Sequence, residues 1–429
     1  MSGFHRWVGI GLMLAGLASI TSFLSVSGKR SEPPEEQAVF LASDGSEGRV
    51  ALTLIIPYEA AQPGLAHYLE HLVFRSAIKG LWGDTDPDTN AHTNENVIRY
   101  ELSGPAGDLS LMLGTLAGVF RPITISDQRA ADERGIVMRE YDYRLANDVR
   151  SRADEATRPF LYSGTPAAIS VIGSPKDIQG LTLDAARRLH AASHLPGRAI
   201  LQVTGDVTME DVTGALKTSH FPRLAALNSL YPSPALIAAP VERVFTLWDD
   251  VAEPGLVWDE VVALPKRESF EHLMSVSELL SDILRSGLDG SIAKPLHYDG
   301  FIARDIFVTV YPLDESHVEV YVRALPDSGV SLASLRAALE RALQDSAKGI
   351  PVRTFARVHK RITDIWLEEP RWFVGYQLRR LMLNRMPATL TELKDIDDNL
   401  ALADVNHLAA SLVAPGRLAV VQMGREVQE

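Results

Sequence analysis

The chain has 429 residues, enough for two or more ordinary domains, and 46% of them are hydrophobic, a proportion that supports a proper core. Its formal net charge of −13, with no long basic stretch, argues against nucleic-acid binding, which needs a basic footprint. Because there is no cysteine, disulfides, thiolate zinc sites and cysteine nucleophiles are excluded, and any metal must rest on His, Asp or Glu.

Residues Trp7 to Ser27 carry no charge, with His5 and Arg6 before them and Lys29 and Arg30 after. The run is just long enough to cross a bilayer as a helix, and it equally fits a signal peptide cut near Gly28. Either reading sends the remainder across a membrane, periplasmic or anchored facing the periplasm or exterior. Residues 1–30 are therefore set apart from the fold. After a Pro-rich joint, "GRVALTLIIPY" has the pattern of a buried strand and "GLAHYLEHLVF" (64–74) that of a helix. "NAHTNENVIRYELSG" alternates as a strand around Val97 to Leu102. "LSLMLGTLAGVF" and "ISDQRAADERGIVMREYDYRLAND" are helical, the second with Ser126 as its N-cap. The helix "TLDAARRLHAASH" leads through "LPGR" into the strand "AILQVTGDV".

That ending recurs: "LPGRAILQVTG" at 195–205 aligns with "APGRLAVVQMG" at 414–424, a shift of 219 residues. The preceding helices, "TLDAARRLHAAS" and "ALADVNHLAASL", match in pattern. A shift of half the chain implies two copies of one α+β domain. The first spans 31–226, a Pro-punctuated, uncharged linker occupies 227–241, and the second spans 242–429.

On a helix, Leu65, Leu69 and Leu72 fall on one side, and His67, Glu70, His71 and Phe74 on the other. Two imidazoles at i and i+4 can reach one Zn²⁺, and Glu70 lies beside them as a proton acceptor for a water molecule. The order is H-x-x-E-H, the reverse of the commoner zinc-protease motif. The competing reading makes His67 and His71 ordinary polar residues on a solvated face. A catalytic zinc also needs a third ligand from another element. "ADERGIVMRE" offers Glu133 and Glu140, two helical turns apart on one face.

Taken together, these motifs resemble those of the pitrilysin/insulinase family of zinc metallopeptidases, which includes the mitochondrial processing peptidases. "GLAHYLEHLVF" resembles its metal-binding helix, "NAHTNENVIRYE" its N-A-x-T edge strand, "DERGIVMREYDYR" its second metal helix, and "LPGRAILQVTGDV" its end-of-domain strand. The resemblance covers most of 40–210, and over 242–429 it is architectural. It implies two homologous α/β-sandwich domains, each a mixed, largely antiparallel sheet with packed helices, closing as a clamshell behind an N-terminal hydrophobic helix. It implies one Zn²⁺ per chain on His67, His71 and Glu140, Glu70 as general base and Glu133 as support. The activity implied is endopeptidase cleavage of unstructured peptides, which would add as a strand along Asn90–Thr93, with Asn90 and Ala91 at the substrate backbone.

The second copy lacks H-x-x-E-H. "FEHLM" holds Glu271 and His272 without the upstream histidine, so this copy is expected to be non-catalytic. Active relatives often carry there an Arg and a Tyr seven residues apart that grip substrate. "LHYDGFIARDIFV" places His297 and Arg304 in those positions. The departure implies that this pair serves differently, or that a homologous partner subunit supplies the Arg and Tyr. The alternative function is a non-catalytic structural or peptide-binding subunit of a membrane-associated complex.

Overall fold

The computed structural model describes residues 38–42, 46–59, 62–78, 88–146, 148–225, 236, 239–248, 253–359, 370–382, 385–388 and 390–424. The uncharged run at 7–27 and most of the 227–241 linker lie outside them. Among the described residues no helix is long and apolar enough to cross a membrane. The chain forms two compact units, residues 1–147, 169–234 and 369–390 in the first, and 148–168, 235–368 and 391–429 in the second. The contiguous domains expected from sequence differ from these units by two exchanged segments, 148–168 and 369–390.

The first unit is built on a five-stranded sheet of order β1-β5-β2-β4-β3. Its strands are β1 (Val39–Ala42), β2 (Arg49–Pro57), β3 (Asp88–Thr93), β4 (Val97–Pro105) and β5 (Ile200–Gly205). The β1–β5 pair is parallel and the others are antiparallel. The alternation in β4 sends Ile98, Tyr100 and Leu102 to one face, where they join Leu52, Leu54 and Ile56 of β2 in the main core. That face is covered by α1 (Leu65–Val73), α2 (Leu109–Leu116), α3 (Asp127–Tyr141), α5 (Pro175–Gln179), α6 (Leu183–Ser193) and α7 (Met209–Thr218). Ser126 caps α3 as the sequence predicts, its hydroxyl accepting from Arg129 N. Ile55, Val97 and Ile200 point to the other face and pack against Leu378 and Leu381 of α10 (Pro370–Met382). With both faces covered, β2 reads as a near-continuous apolar run rather than an alternation.

The second unit repeats this plan. Strands β6 (Val241–Trp248), β7 (Gly255–Ala263), β8 (Ala303–Pro312), β9 (His317–Pro326) and β10 (Arg417–Gly424) run in the order β6-β10-β7-β9-β8. The β6–β10 pair is parallel, matching β1–β5. One face packs on α8 (Phe270–Arg285), α9 (Leu332–Ala347) and α12 (Leu402–Ser411), with α11 (Leu390–Asp398) preceding α12. The other face, through Val257, Tyr321 and Val421, receives Ala153 of α4 (Val149–Leu161). The recurring "PGR" strands found in the sequence are β5 and β10, which hold the same place in each sheet.

The second copy of that turn explains one of its residues. A Cβ on Gly416 would lie 2.5 Å from the Val261 carbonyl oxygen, so the strand entry admits only glycine. The Gly416 N–H donates to Glu260 Oε1 at 3.2 Å, and Trp258 Nε1 donates to Oε2 at 3.1 Å. Burial outweighs these bonds and pushes the Glu260 carboxyl up to about 7. Between the ordinary carboxyl range and that value the folded chain binds more protons than the unfolded one. Stability therefore falls as pH rises across this window, by roughly 3 kcal/mol at 1.36 kcal/mol per unit. Glu260→Gln should flatten the slope, so that urea midpoints at pH 5 and pH 8 draw together.

Candidate metal centre and active site

Helix α1 starts at a strained point. Gly64 has φ 75°, and a Cβ there would lie 2.8 Å from the Ile172 carbonyl oxygen. Its N–H donates to the Ser170 carbonyl at 3.2 Å, tying the start of α1 to the 169–173 loop. The "PG" before the motif thus fixes where α1 begins. Leu69 and Leu72 are fully buried on the sheet side of the helix. The opposite side is not solvated, as the competing sequence reading required: His67 is 5% exposed and Glu70 7%. Tyr68 Oη donates to the Ala130 carbonyl at 2.8 Å, which anchors α1 against α3.

This packing brings three donors together. His67 Nε2 and His71 Nε2 are 3.3 Å apart. Glu140 Oε2 lies 3.4 Å from His67 Nε2, and its Oε1 3.5 Å from His71 Nε2. A tetrahedral zinc site with bonds of about 2.0–2.1 Å sets its donors about 3.3–3.4 Å apart. The spacing therefore fits a shared ion. Glu140 Oε2 is shielded from solvent and makes no hydrogen bond within the protein, which also suits a cation ligand. Among the described residues this is the one cluster of three or more such side chains with metal-binding geometry.

The electrostatics agree with the geometry. Burial, aided by the neighbouring His67, lowers the His71 imidazole to about 4. Burial would raise the Glu140 carboxyl, but His67, His71 and Arg144 outweigh it and bring it down to about 2. At neutral pH His71 is thus neutral and Glu140 ionised, the protonation states a metal requires. Glu70 shifts the other way: burial pushes its carboxyl up, against the opposing effects of His67 and of a hydrogen bond from Thr93.

Glu133, 5% exposed, faces the back of the site, its Oε2 3.6 Å from His71 Nδ1. A carboxylate behind a ligating imidazole favours the tautomer that leaves Nε2 free. Sequence reasoning missed the group that steadies Glu133, Arg75, whose Nε lies 3.4 Å from Oε1. Its signal was present, because Arg75 follows His71 by four residues on the same side of the chain's helical path. Arg144, four residues after Glu140 and 3.5 Å from it, was missed in the same way. Thr93 Oγ1 donates to Glu70 Oε2 at 2.8 Å.

Asn90 and Ala91 lie on β3, at the end of the sheet order. Asn90 Oδ1 accepts from Ala91 N at 2.9 Å, and Asn90 Nδ2 lies 3.0 Å from His92 Nε2. His92 is not in the donor cluster; it lies 3.7 Å from Glu101, as a strand side chain would. His297 and Arg304 belong to the second unit. There His297 Nδ1 donates to the Ala303 carbonyl at 3.0 Å, and Arg304 pairs with Glu253 at 2.7 Å.

No family model matches the chain. It is 25% identical over 268 residues to the zinc protease PqqE of Helicobacter pylori, covering 60% of this chain and 60% of that one. The chain thus spans about 60% of that relative's length. In fold it is similar to a protease from Helicobacter pylori, with a TM-score of 0.75 and 19% identity, covering 91% of this chain and 100% of the other. It is equally similar to the inactive domain of an M16 peptidase from Pseudomonas fluorescens, with a TM-score of 0.74 and 14% identity over 92% and 97% of the two chains. The two five-stranded sheets with packed helices are the M16 peptidase fold. The resemblance to the pitrilysin/insulinase family that the motifs imply is upheld by a named zinc protease in sequence and by M16 structure in fold.

Removing the Glu133 carboxylate tests the support of the site apart from its ligands. Glu133→Gln should fold normally and hold zinc about 10–100-fold more weakly, while Glu140→Gln should lose it more severely. Zinc retained against a graded chelator series measures both.

Proposed function

We propose that the chain is a zinc-dependent endopeptidase acting on unstructured peptides. The observation that carries this reading is the triangle of His67, His71 and Glu140 donors with the buried Glu70 carboxylate on the same helix. His67, His71 and Glu140 would hold one Zn²⁺. Bound there, it would supply Lewis acidity, lowering the pKa of a water molecule and polarising a peptide carbonyl. Glu70 takes the proton from the attacking water and delivers it to the departing amine nitrogen as the C–N bond breaks. Burial favours the protonated form of Glu70, so it can release a proton as well as accept one. Glu133 and Arg75 keep the His71 ring oriented. The terminal position of β3 supports strand addition, with the substrate running along Asn90–Thr93 and main-chain hydrogen bonds supplying most of the affinity.

The second unit carries no counterpart of the donor cluster among the described residues, and we assign it no chemistry. His297 and Arg304 are both engaged by groups of that unit. This supports a homologous partner subunit that brings the Arg and Tyr of the substrate grip. A second reading, a non-catalytic structural or peptide-binding subunit, is favoured by the likeness to an inactive M16 domain. The complete set of ligands and base weighs against it.

Glu70→Gln should keep one zinc per chain and lower kcat on an unstructured peptide by about 10²–10⁴-fold. Chelation should abolish wild-type cleavage and added zinc restore it. A variant that cleaves normally refutes the role of Glu70, and a zinc-loaded wild type inert with and without partner candidates supports the non-catalytic reading. The chain purified alone should be poorly active, with turnover rising when a homologous subunit is added. Full activity alone removes the need for one.

A further inference from the structure

We infer that Thr93 is a positioning residue that locks the general base to the strand on which substrate is laid. The inference rests on the reading of Glu70 as base and goes beyond it. Thr93 is the last residue of β3, paired across the ladder with Ile98. Its hydroxyl donates to Glu70 Oε2 at 2.8 Å, the one hydrogen bond to that carboxylate among the described residues. Both groups are buried, at 5% and 7% exposure, so the bond is shielded from competing water.

The residue type suits the task. A hydroxyl fixes one carboxylate oxygen without bringing a charge that would hold the base permanently ionised. A lysine or arginine at this place would do so. Threonine is branched at Cβ and stiff at χ1, so the strand backbone dictates where the hydroxyl sits. The same strand carries Asn90 and Ala91, three and two residues upstream. A peptide added to β3 would take its register from this backbone, and the base takes its anchor from it. One continuous strand would thus set both the reacting bond and the proton acceptor. Catalytic geometry has to hold within about 0.5 Å, and a 1 Å misplacement costs on the order of 10²-fold. His67 and Glu140 bear on Glu70 only through charge, and neither fixes its orientation by a hydrogen bond.

Two variants and two readouts test this. In the zinc-loaded enzyme, Thr93→Val should lower kcat by about 10–100-fold with KM changed by less than about threefold and zinc content unchanged. Thr93→Ser, which keeps the hydroxyl, should recover most of the loss. In the zinc-free protein, Thr93→Val should lower the unfolding midpoint by about 2–4 °C when Glu70 is present, and much less in a Glu70→Leu background. An unchanged kcat in Thr93→Val overturns the inference. So does an equal loss in both Thr93 variants, or the same midpoint shift in both backgrounds. Should the zinc-loaded wild type cleave nothing with and without partner candidates, the assignment of Glu70 falls by itself, and the midpoint comparison alone decides whether Thr93 fixes that carboxylate.

Discussion

Two imidazole nitrogens 3.3 Å apart, with carboxylate oxygens 3.4 and 3.5 Å away, are the constraint on which the first unit is organised. A carboxylate oxygen shielded from solvent and without a hydrogen bond is costly. The surrounding structure has to impose the arrangement. It does so with the leucine face of α1 in the main core, the Tyr68 hydroxyl on the Ala130 carbonyl, and a helix start that only Gly64 can make. The packing of the fold holds these three side chains together.

The same logic extends one layer outward. Glu133 lies behind His71, Arg75 behind Glu133, and Thr93 against Glu70. Each group aims a neighbour. The result is a site whose members come from α1 and the turn Phe74–Ile78 that continues it, from α3, and from β3 of the sheet itself. None of these elements could hold the geometry alone: a nine-residue helix places two histidines well but cannot bend back to offer a third ligand.

Much of this was legible in the chain itself. Imidazoles at i and i+4 must share a helical face, and Glu133 and Glu140 must share another, because helical periodicity is local. The repeat at 195–205 and 414–424 was legible because a strand entered through a tight Pro-Gly turn has few sequence solutions. The two sheets then share one strand order. What escaped was whatever depends on distant packing. Arg75 and Arg144 look like ordinary helix-surface cations until their carboxylate neighbours are in place. The exchange of 148–168 and 369–390 between the units has no sequence mark. The apolar faces of α4 and α10 show only that each helix buries something, and which sheet receives them is decided by the second, otherwise uncovered face of each sheet.

The second unit shows what the same plan becomes without the ligands. Its α8 follows β7 as α1 follows β2, so it occupies the topological place of α1. Glu271 and His272 stand in its first turn, where His272 lies 3.9 Å from Asp404 of α12. Further along, its polar positions serve packing. The Ser281 hydroxyl accepts from the Val310 N–H at 2.7 Å, stitching α8 to β8, and donates to the Ser277 carbonyl at 2.7 Å. In α1, His67 and His71 face Glu140 and Glu133 of α3, while Glu70 accepts from Thr93 of the sheet's own strand β3. The two copies therefore differ in where one helix directs its polar groups, within a strand order that both share.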